Sequence, residues 1–176
     1  MNSSYKRFFI WVEGDDDERF FQNLLKFGLQ KKYNFIKIIK YASMRKEKII
    51  NFIKSIKAMN AEYIYVTDIN NSPCITARKK EIQEKLKVID VERIIIVIKE
   101  IESWYLAGLS SDVYKRFKIN DLDITDSVTK EKFNSLIPRR FSSRIDFMSE
   151  ILKDFSIETA KRKNKSFKYY MEKYDC

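Results

Sequence analysis

At 176 residues and 21.2 kDa, the chain is long enough for one well-packed domain and too short for two large ones. Its 44% hydrophobic and 14% aromatic content, with only 3 glycines and 2 prolines, excludes a disordered polymer. Lysine and arginine number 35 against 25 acids, a net charge of +10 and a pI near 9.4 that favour a polyanionic partner, while the absence of histidine removes the imidazole base of serine and cysteine hydrolases and His-type zinc sites.

Any chemistry must therefore run on carboxylates, lysines or a metal. The two cysteines, Cys74 and Cys176, suit neither a disulfide framework nor a thiolate metal knot, as expected in a reducing cytosol. The longest aliphatic run, Ile94 to Ile98, falls far short of the roughly 18 residues of a membrane span. The stretch Met1 to Arg7 lacks the apolar region of a secretory signal. A cytoplasmic protein without a membrane partner is expected.

In chain order, Phe8 to Val12 is an apolar, β-branched and aromatic run that stops at Glu13-Gly14, which predicts a buried strand and a tight turn. Asp15 to Asp17 then open a helix, where carboxylates suit the positive end of the dipole, and Phe20, Phe21, Leu24, Leu25 and Leu29 follow at helical spacing. A second strand is predicted at Phe35 to Tyr41, and Ser43 is the expected N-cap of a helix carrying Ile49, Ile50, Ile53, Ile56 and Met59. Tyr63 to Thr67 predicts a third strand, closed by the turn formers from Asp68 to Pro73. A helix with Ile82 and Leu86 leads to the strongest strand signal, Arg93 to Ile98. Strands alternating with helices, with no hairpin turn between them, predict an α/β fold with a mostly parallel central sheet of about four strands flanked by helices. From Ile101 only helices are expected: Ile101 to Ala107, Asp112 to Phe117, Thr129 to Leu136, Ser143 to Phe155 and Ser166 to Tyr174. The expected organisation is one domain, with an α/β core over residues 1–110 and a helical C-terminal extension over residues 111–176 packed on it.

Acids stand at the predicted strand exits: Glu13 with Asp16 and Asp17 after the first, Asp68 with Asn70 after the third, Glu100 with Glu102 after the fourth. Parallel strands bring such exits to one edge of the sheet. Carboxylates gathered there raise one another's pKa unless a divalent cation neutralises them, and hard oxygen donors suit Mg2+ or Mn2+. Taken singly, each has an ordinary structural use as well. Asp15 to Asp17 can cap a helix, Asp68 and Asn70 can form an Asx turn, and Glu100 and Glu102 can be a solvated strand exit.

The segment Val12-Glu13-Gly14-Asp15-Asp16-Asp17-Glu18-Arg19-Phe20-Phe21, followed by Val66-Thr67-Asp68-Ile69-Asn70, resembles the two motifs of the Toprim superfamily, which includes topoisomerases, bacterial primases and overcoming-lysogenization-defect (OLD) nucleases. A third element, Glu100-Ile101-Glu102-Ser103-Trp104-Tyr105-Leu106-Ala107, is similar to a signature of small Toprim-like proteins of prokaryotic defence loci. The resemblance spans roughly residues 6–110 and implies a Toprim-like Rossmannoid core. It implies that Glu13 is a metal ligand or general acid/base, that Asp68 is the principal metal ligand, and that Asp17 and Glu102 support them. Where the family shows Asp-x-Asp, this chain has Asp68-x-Asn70, whose amide offers oxygen without charge, a departure that implies a weaker or single metal site, reliance on Glu100, or a fold of this type that does not cut.

Residues 26 to 57 hold ten Lys or Arg, Lys46 and Lys48 among them, against the single acid Glu47. A second basic cluster comprises Arg139, Arg140 and Arg144, then Lys161, Arg162, Lys163 and Lys165. Both can follow a phosphate backbone, and both can be solvated helix faces. Trp104 and Tyr105, at helical spacing with Ile101 and Leu106, read as core. Similarity to OLD-type nucleases implies that Lys161, Lys163 or Lys165 reaches the leaving phosphate. The leading expectation is a metal-dependent nuclease hydrolysing DNA or RNA, with Glu13, Asp68 and Glu102 catalytic and Glu13, Asp17, Asp68, Asn70 and Glu100 around the metal. A non-catalytic module of the same fold, binding nucleic acid or a partner such as an ATPase, is the alternative that Asn70 favours. A phosphoacceptor receiver also places acids after the first and third strands, but requires Ser or Thr at the end of the fourth and Lys-Pro after a fifth. Here Lys99-Glu100 closes the fourth and no fifth strand is predicted.

Overall fold

The structure is a computed structural model and describes residues 5–24 and 28–174. Leu25, one of the expected core positions of the first helix, lies outside the described residues. Contacts divide the chain into two compact units, one running to Ile96 and the other starting at Val97.

In the first unit, β1 (Arg7–Val12) is buried from Phe8 onward, because a central strand has both faces covered. It pairs in parallel with β2 (Phe35–Lys40), with Ile10 opposite Ile38, and with β3 (Glu62–Asp68), with Trp11 opposite Tyr65. With β4 (Ile94–Val97) the parallel sheet has the order β2-β1-β3-β4. The edge position of β2 explains its alternating, half-exposed residues. Between the strands lie α1 (Asp15–Leu24), α2 (Leu29–Lys32), α3 (Lys46–Ala58) and α4 (Ile75–Leu86). Arg93 belongs to a short 3-10 turn, Val91–Arg93, and not to β4.

The chain steps from β1 to β2 in one direction and from β2 past β1 to β3 in the other. Right-handed crossovers then put α1 and α3 on opposite faces. Accordingly, Phe9, Trp11, Tyr63, Tyr65, Ile94 and Ile96 form one core with Ile49, Ile53 and Ile56 of α3 and Ile82 and Leu86 of α4. The intervening residues Phe8, Ile10, Val12, Ile64 and Val66 are equally buried. Four aspartates and glutamates fill the first turn of α1, and Phe20, Phe21 and Leu24 are its buried face. The expected Ser43 cap is not formed. Arg45 holds the N-cap position of α3 with extended backbone and no side-chain bond, since the helix begins two residues later than Ser43 requires.

The second unit is helical: α5 (Glu102–Ala107), α6 (Ser111–Phe117), α7 (Lys130–Ser135), α8 (Arg144–Lys153), α9 (Ile157–Lys163) and α10 (Lys165–Tyr174). Every residue of α5 is buried, and it meets α7, α8 and α9. Ser110, Thr129, Ser143 and Ser156 each accept a bond from a backbone N–H in the first turn of the helix that follows. The helix expected to reach Phe155 ends at Lys153, and α9 is an element the apolar spacing did not reveal, because its buried residues are only Thr159 and Ala160. Trp104 and Tyr105 are fully buried.

Candidate functional site

In a doubly wound sheet the crevice opens at the strand exits where the winding reverses. With the order β2-β1-β3-β4 that place is between β1 and β3. A cavity of about 320 Å3 lies there, in the first unit, lined by Glu13 after β1, Thr67 and Asn70 at the end of β3, Tyr41 and Met44 after β2, Lys46 of α3, and Arg78 and Lys85 of α4. Its floor is apolar, from Ile49, Ile82 and Leu86.

Backbone bonds tie the β1 and β2 exits together, and a side-chain bond from Tyr41 reaches β3. Tyr41 N–H donates to Val12 C=O at 3.0 Å and Ala42 N–H to Glu13 C=O at 3.3 Å. The Tyr41 ring stacks on Tyr65 with centroids 4.5 Å apart and planes at 18°, and its hydroxyl donates to Val66 C=O at 2.9 Å. Burial pushes both phenols up, Tyr65 to about 12, and the negative charge of Glu13 acts in the same direction on each. Both are therefore neutral at physiological pH.

Arg78 shapes the other wall. Its Nε donates to Asp68 C=O at 3.0 Å, Nη2 to Thr67 Oγ1 at 3.2 Å and Nη1 to Glu81 Oε2 at 3.1 Å. Ser72 Oγ also donates to Glu81, so hydrogen bonds from Ser72 and Arg78 hold that carboxyl below its ordinary range. Asn70 sits at φ +50°, a left-handed position that Asn tolerates better than most residues, which turns the chain sharply after β3. Arg78 and Lys85 had no sequence signal as site residues. Their arrival at the cavity, Arg78 from the first turn of α4 and Lys85 from its last, depends on where that helix docks.

The expected site residues divide. Glu13 and Asn70 line the cavity, with Asp68 two residues before Asn70. Asp17 Oδ2 accepts the Gly14 N–H at 3.1 Å, which is a helix-capping use. The other acids of that turn bind cations: Asp16 pairs with Arg19 at 2.7 Å, and Lys40 bridges Asp15 at 2.7 Å and Glu18 at 2.9 Å. Glu100 and Glu102 belong to the second unit. Glu100 accepts the Lys130 N–H at the start of α7, and Glu102, only 4% exposed, is ion-paired with Arg144. Arg144 also lies 5.6 Å over the Phe133 ring, so its guanidinium is engaged inside the unit.

Of the other expected nucleic-acid contacts, Lys46 reaches the cavity and Lys48 is exposed on α3. Arg139 is exposed, and Arg140 covers the rings of Phe117 at 5.2 Å and Phe141 at 5.0 Å. Lys163 bonds Asp121 at 2.7 Å and lies 4.6 Å over Tyr114, whereas Lys161 pairs with Glu158 at 3.3 Å. These two and Lys165 line a shallow basic hollow with Arg162 and Lys168.

Among the described residues no three carboxylate or thiol side chains gather into a metal-holding group. Mg2+ keeps several waters and takes one or two carboxylates, with substrate phosphate completing its shell. The side-chain oxygens at the β1 and β3 exits are those of Glu13, Asp68 and Asn70.

No protein-family model and no curated protein matches the chain. Two solved structures are similar to it. The C-terminal region of the OLD protein of Xanthomonas campestris pv. campestris aligns with a TM-score of 0.47 at 15% identity, covering 97% of this chain and 94% of that one. The C-terminal region of the Burkholderia pseudomallei OLD protein aligns with a TM-score of 0.36 at 15% identity, covering 96% and 95%.

Proposed function

We propose that the protein is a Toprim-type, metal-dependent phosphodiesterase acting on DNA or RNA, and that the crevice between β1 and β3 is its centre. The observation that carries this reading is the cavity at the winding reversal, where Glu13 and Asn70 share one wall system with Lys46 and Lys85. A Mg2+ or Mn2+ ion bound there supplies Lewis-acid stabilisation of the phosphorus centre. Glu13, exposed at its strand exit, accepts the proton of the attacking water. Asp68 and Asn70 contribute oxygen donors from the other exit. Lys46 and Lys85 neutralise the non-bridging phosphate oxygens, and Arg78 keeps Thr67 and the Asp68 backbone in place. Glu102, enclosed by its own unit and bonded to Arg144, acts there as a structural anion.

The test is hydrolysis of plasmid, single-stranded DNA and RNA in Mg2+ or Mn2+. Glu13→Ala and Asp68→Ala should each reduce cutting by about two orders of magnitude or more. Cutting retained in both variants overturns the assignment. A second reading, a non-catalytic module of this fold that binds nucleic acid or a partner protein, is favoured by one observation: Asp17, Glu100 and Glu102 are committed to caps and an ion pair. It requires nucleic-acid binding that ignores metal and yields no product.

A further inference from the structure

We propose that the cavity at the β1 and β3 exits receives one unpaired nucleotide, its phosphate held by Lys46 and Lys85 and its base against the aromatic and apolar wall, so that the substrate is single-stranded nucleic acid. The proposal rests on the phosphodiesterase reading of the same crevice and names its substrate class.

Two lining cations are available. Arg78 is engaged with Thr67, Asp68 and Glu81, but Lys46 and Lys85 are exposed and make no ion pair among the described residues. Lys46 stands at the start of α3 and Lys85 at the end of α4, so the chain supplies them from two elements to one cavity. Two cations with no anion assigned to them create a demand for negative charge that the single lining carboxylate, Glu13, leaves unmet.

The rest of the wall is not what a bare phosphate needs. Tyr41, whose ring is stacked on the buried Tyr65, and Met44 line it together with Ile49, Ile82 and Leu86. A planar, weakly polar group is complementary to such a surface, and stacking on aromatic side chains tolerates any base. The two phenols are neutral, as burial requires, so they add no negative charge against the phosphate. Size restricts the ligand further. At about 320 Å3 the cavity is near the lower limit of small-molecule sites and takes one nucleotide unit, not a base pair. A base within a duplex reaches it only after unstacking, which costs binding free energy that an already single strand does not spend.

The experiment is fluorescence anisotropy on the full chain in EDTA, which separates binding from cutting. Three probes of equal length are compared: a labelled oligothymidylate, its blunt duplex, and an abasic strand with the same phosphates. The expected result is binding of the single strand on the order of tenfold tighter than either the duplex or the abasic strand. Lys46→Ala/Lys85→Ala should weaken single-strand binding on the order of tenfold, while Lys80→Ala, at an exposed position paired with Glu84, leaves it unchanged. Equal affinity for single strand and duplex, equal affinity for the abasic strand, or an unaffected double variant overturns the proposal. If single-strand selectivity stands while no metal supports cutting, the phosphodiesterase reading fails alone. If Glu13-dependent cutting stands without that selectivity, this inference fails alone.

Discussion

Asp90 shows how a single carboxylate can tie the far end of the sheet together. Its Oδ2 accepts the Tyr63 hydroxyl at 2.9 Å, its Oδ1 accepts Lys57 Nζ at 2.6 Å, and its own N–H donates to the Tyr63 oxygen at 3.0 Å. Partial burial acts to raise its pKa, but the bonds from Lys57 and Tyr63 outweigh it and hold the group below its ordinary value of 3.8. A carboxyl lowered by folding stabilises the native state above its unfolded pKa, and that contribution is lost as pH falls through the folded value. Asp90→Asn should therefore cost roughly 1 kcal/mol in urea denaturation at neutral pH, a cost that shrinks as pH falls below 3.8 and through the lowered folded value. A cost that does not change with pH would assign the loss to packing. At this same scale, Asp17 and Glu102 show the structural uses that a carboxylate finds at such positions. An aspartate at a helix start has a backbone N–H within reach at no distance in sequence, and a glutamate inside an all-buried helix must find a cation, here Arg144.

The helices of the second unit were readable where a hydroxyl residue precedes an apolar period, as at Ser143, and unreadable where burial is by small residues, as in α9. What joins these helices is polar as well as apolar. Asn164 Nδ2 donates to Ser103 Oγ at 3.2 Å and Thr125 Oγ1 at 3.1 Å, while Ser166 Oγ donates to Asn164 Oδ1 at 2.8 Å and accepts the Trp104 indole N–H at 2.8 Å. Each of these buried groups is satisfied, which fixes α5 against the chain from α9 to α10. Gly108, directly after α5, is there for space. Its φ of −75° suits any residue, but a Cβ would run into the Phe155 ring. Gly108→Ala should displace that ring from its contact with Phe167 and lower stability by roughly 1–3 kcal/mol in the urea midpoint. An unshifted midpoint would mean that the ring moves aside freely.

Across the whole chain, a net charge of +10 is distributed unevenly, and the structure separates cations that are engaged from cations that are available. Arg78, Arg144 and Lys163 hold their own units together, whereas Lys46, Lys48 and Lys85 are exposed. Binding of a single strand should weaken linearly in log affinity against log salt, and Lys46→Ala/Lys85→Ala should reduce the magnitude of that slope by about 1.4. An unchanged slope would show that neither lysine meets a phosphate.

The alternation of apolar runs with helical periods determined the α/β class and the sheet of four strands, because buried parallel strands and amphipathic crossover helices write their periods directly into the chain. The same pattern located Glu13, Asp68 and Asn70 at strand exits. Which side chains share a cavity was decided only by tertiary structure. Docking of α4 brings in Arg78 and Lys85 through contacts between residues far apart in sequence that no single segment encodes, whereas Asp17 is held by a local bond to Gly14 N–H.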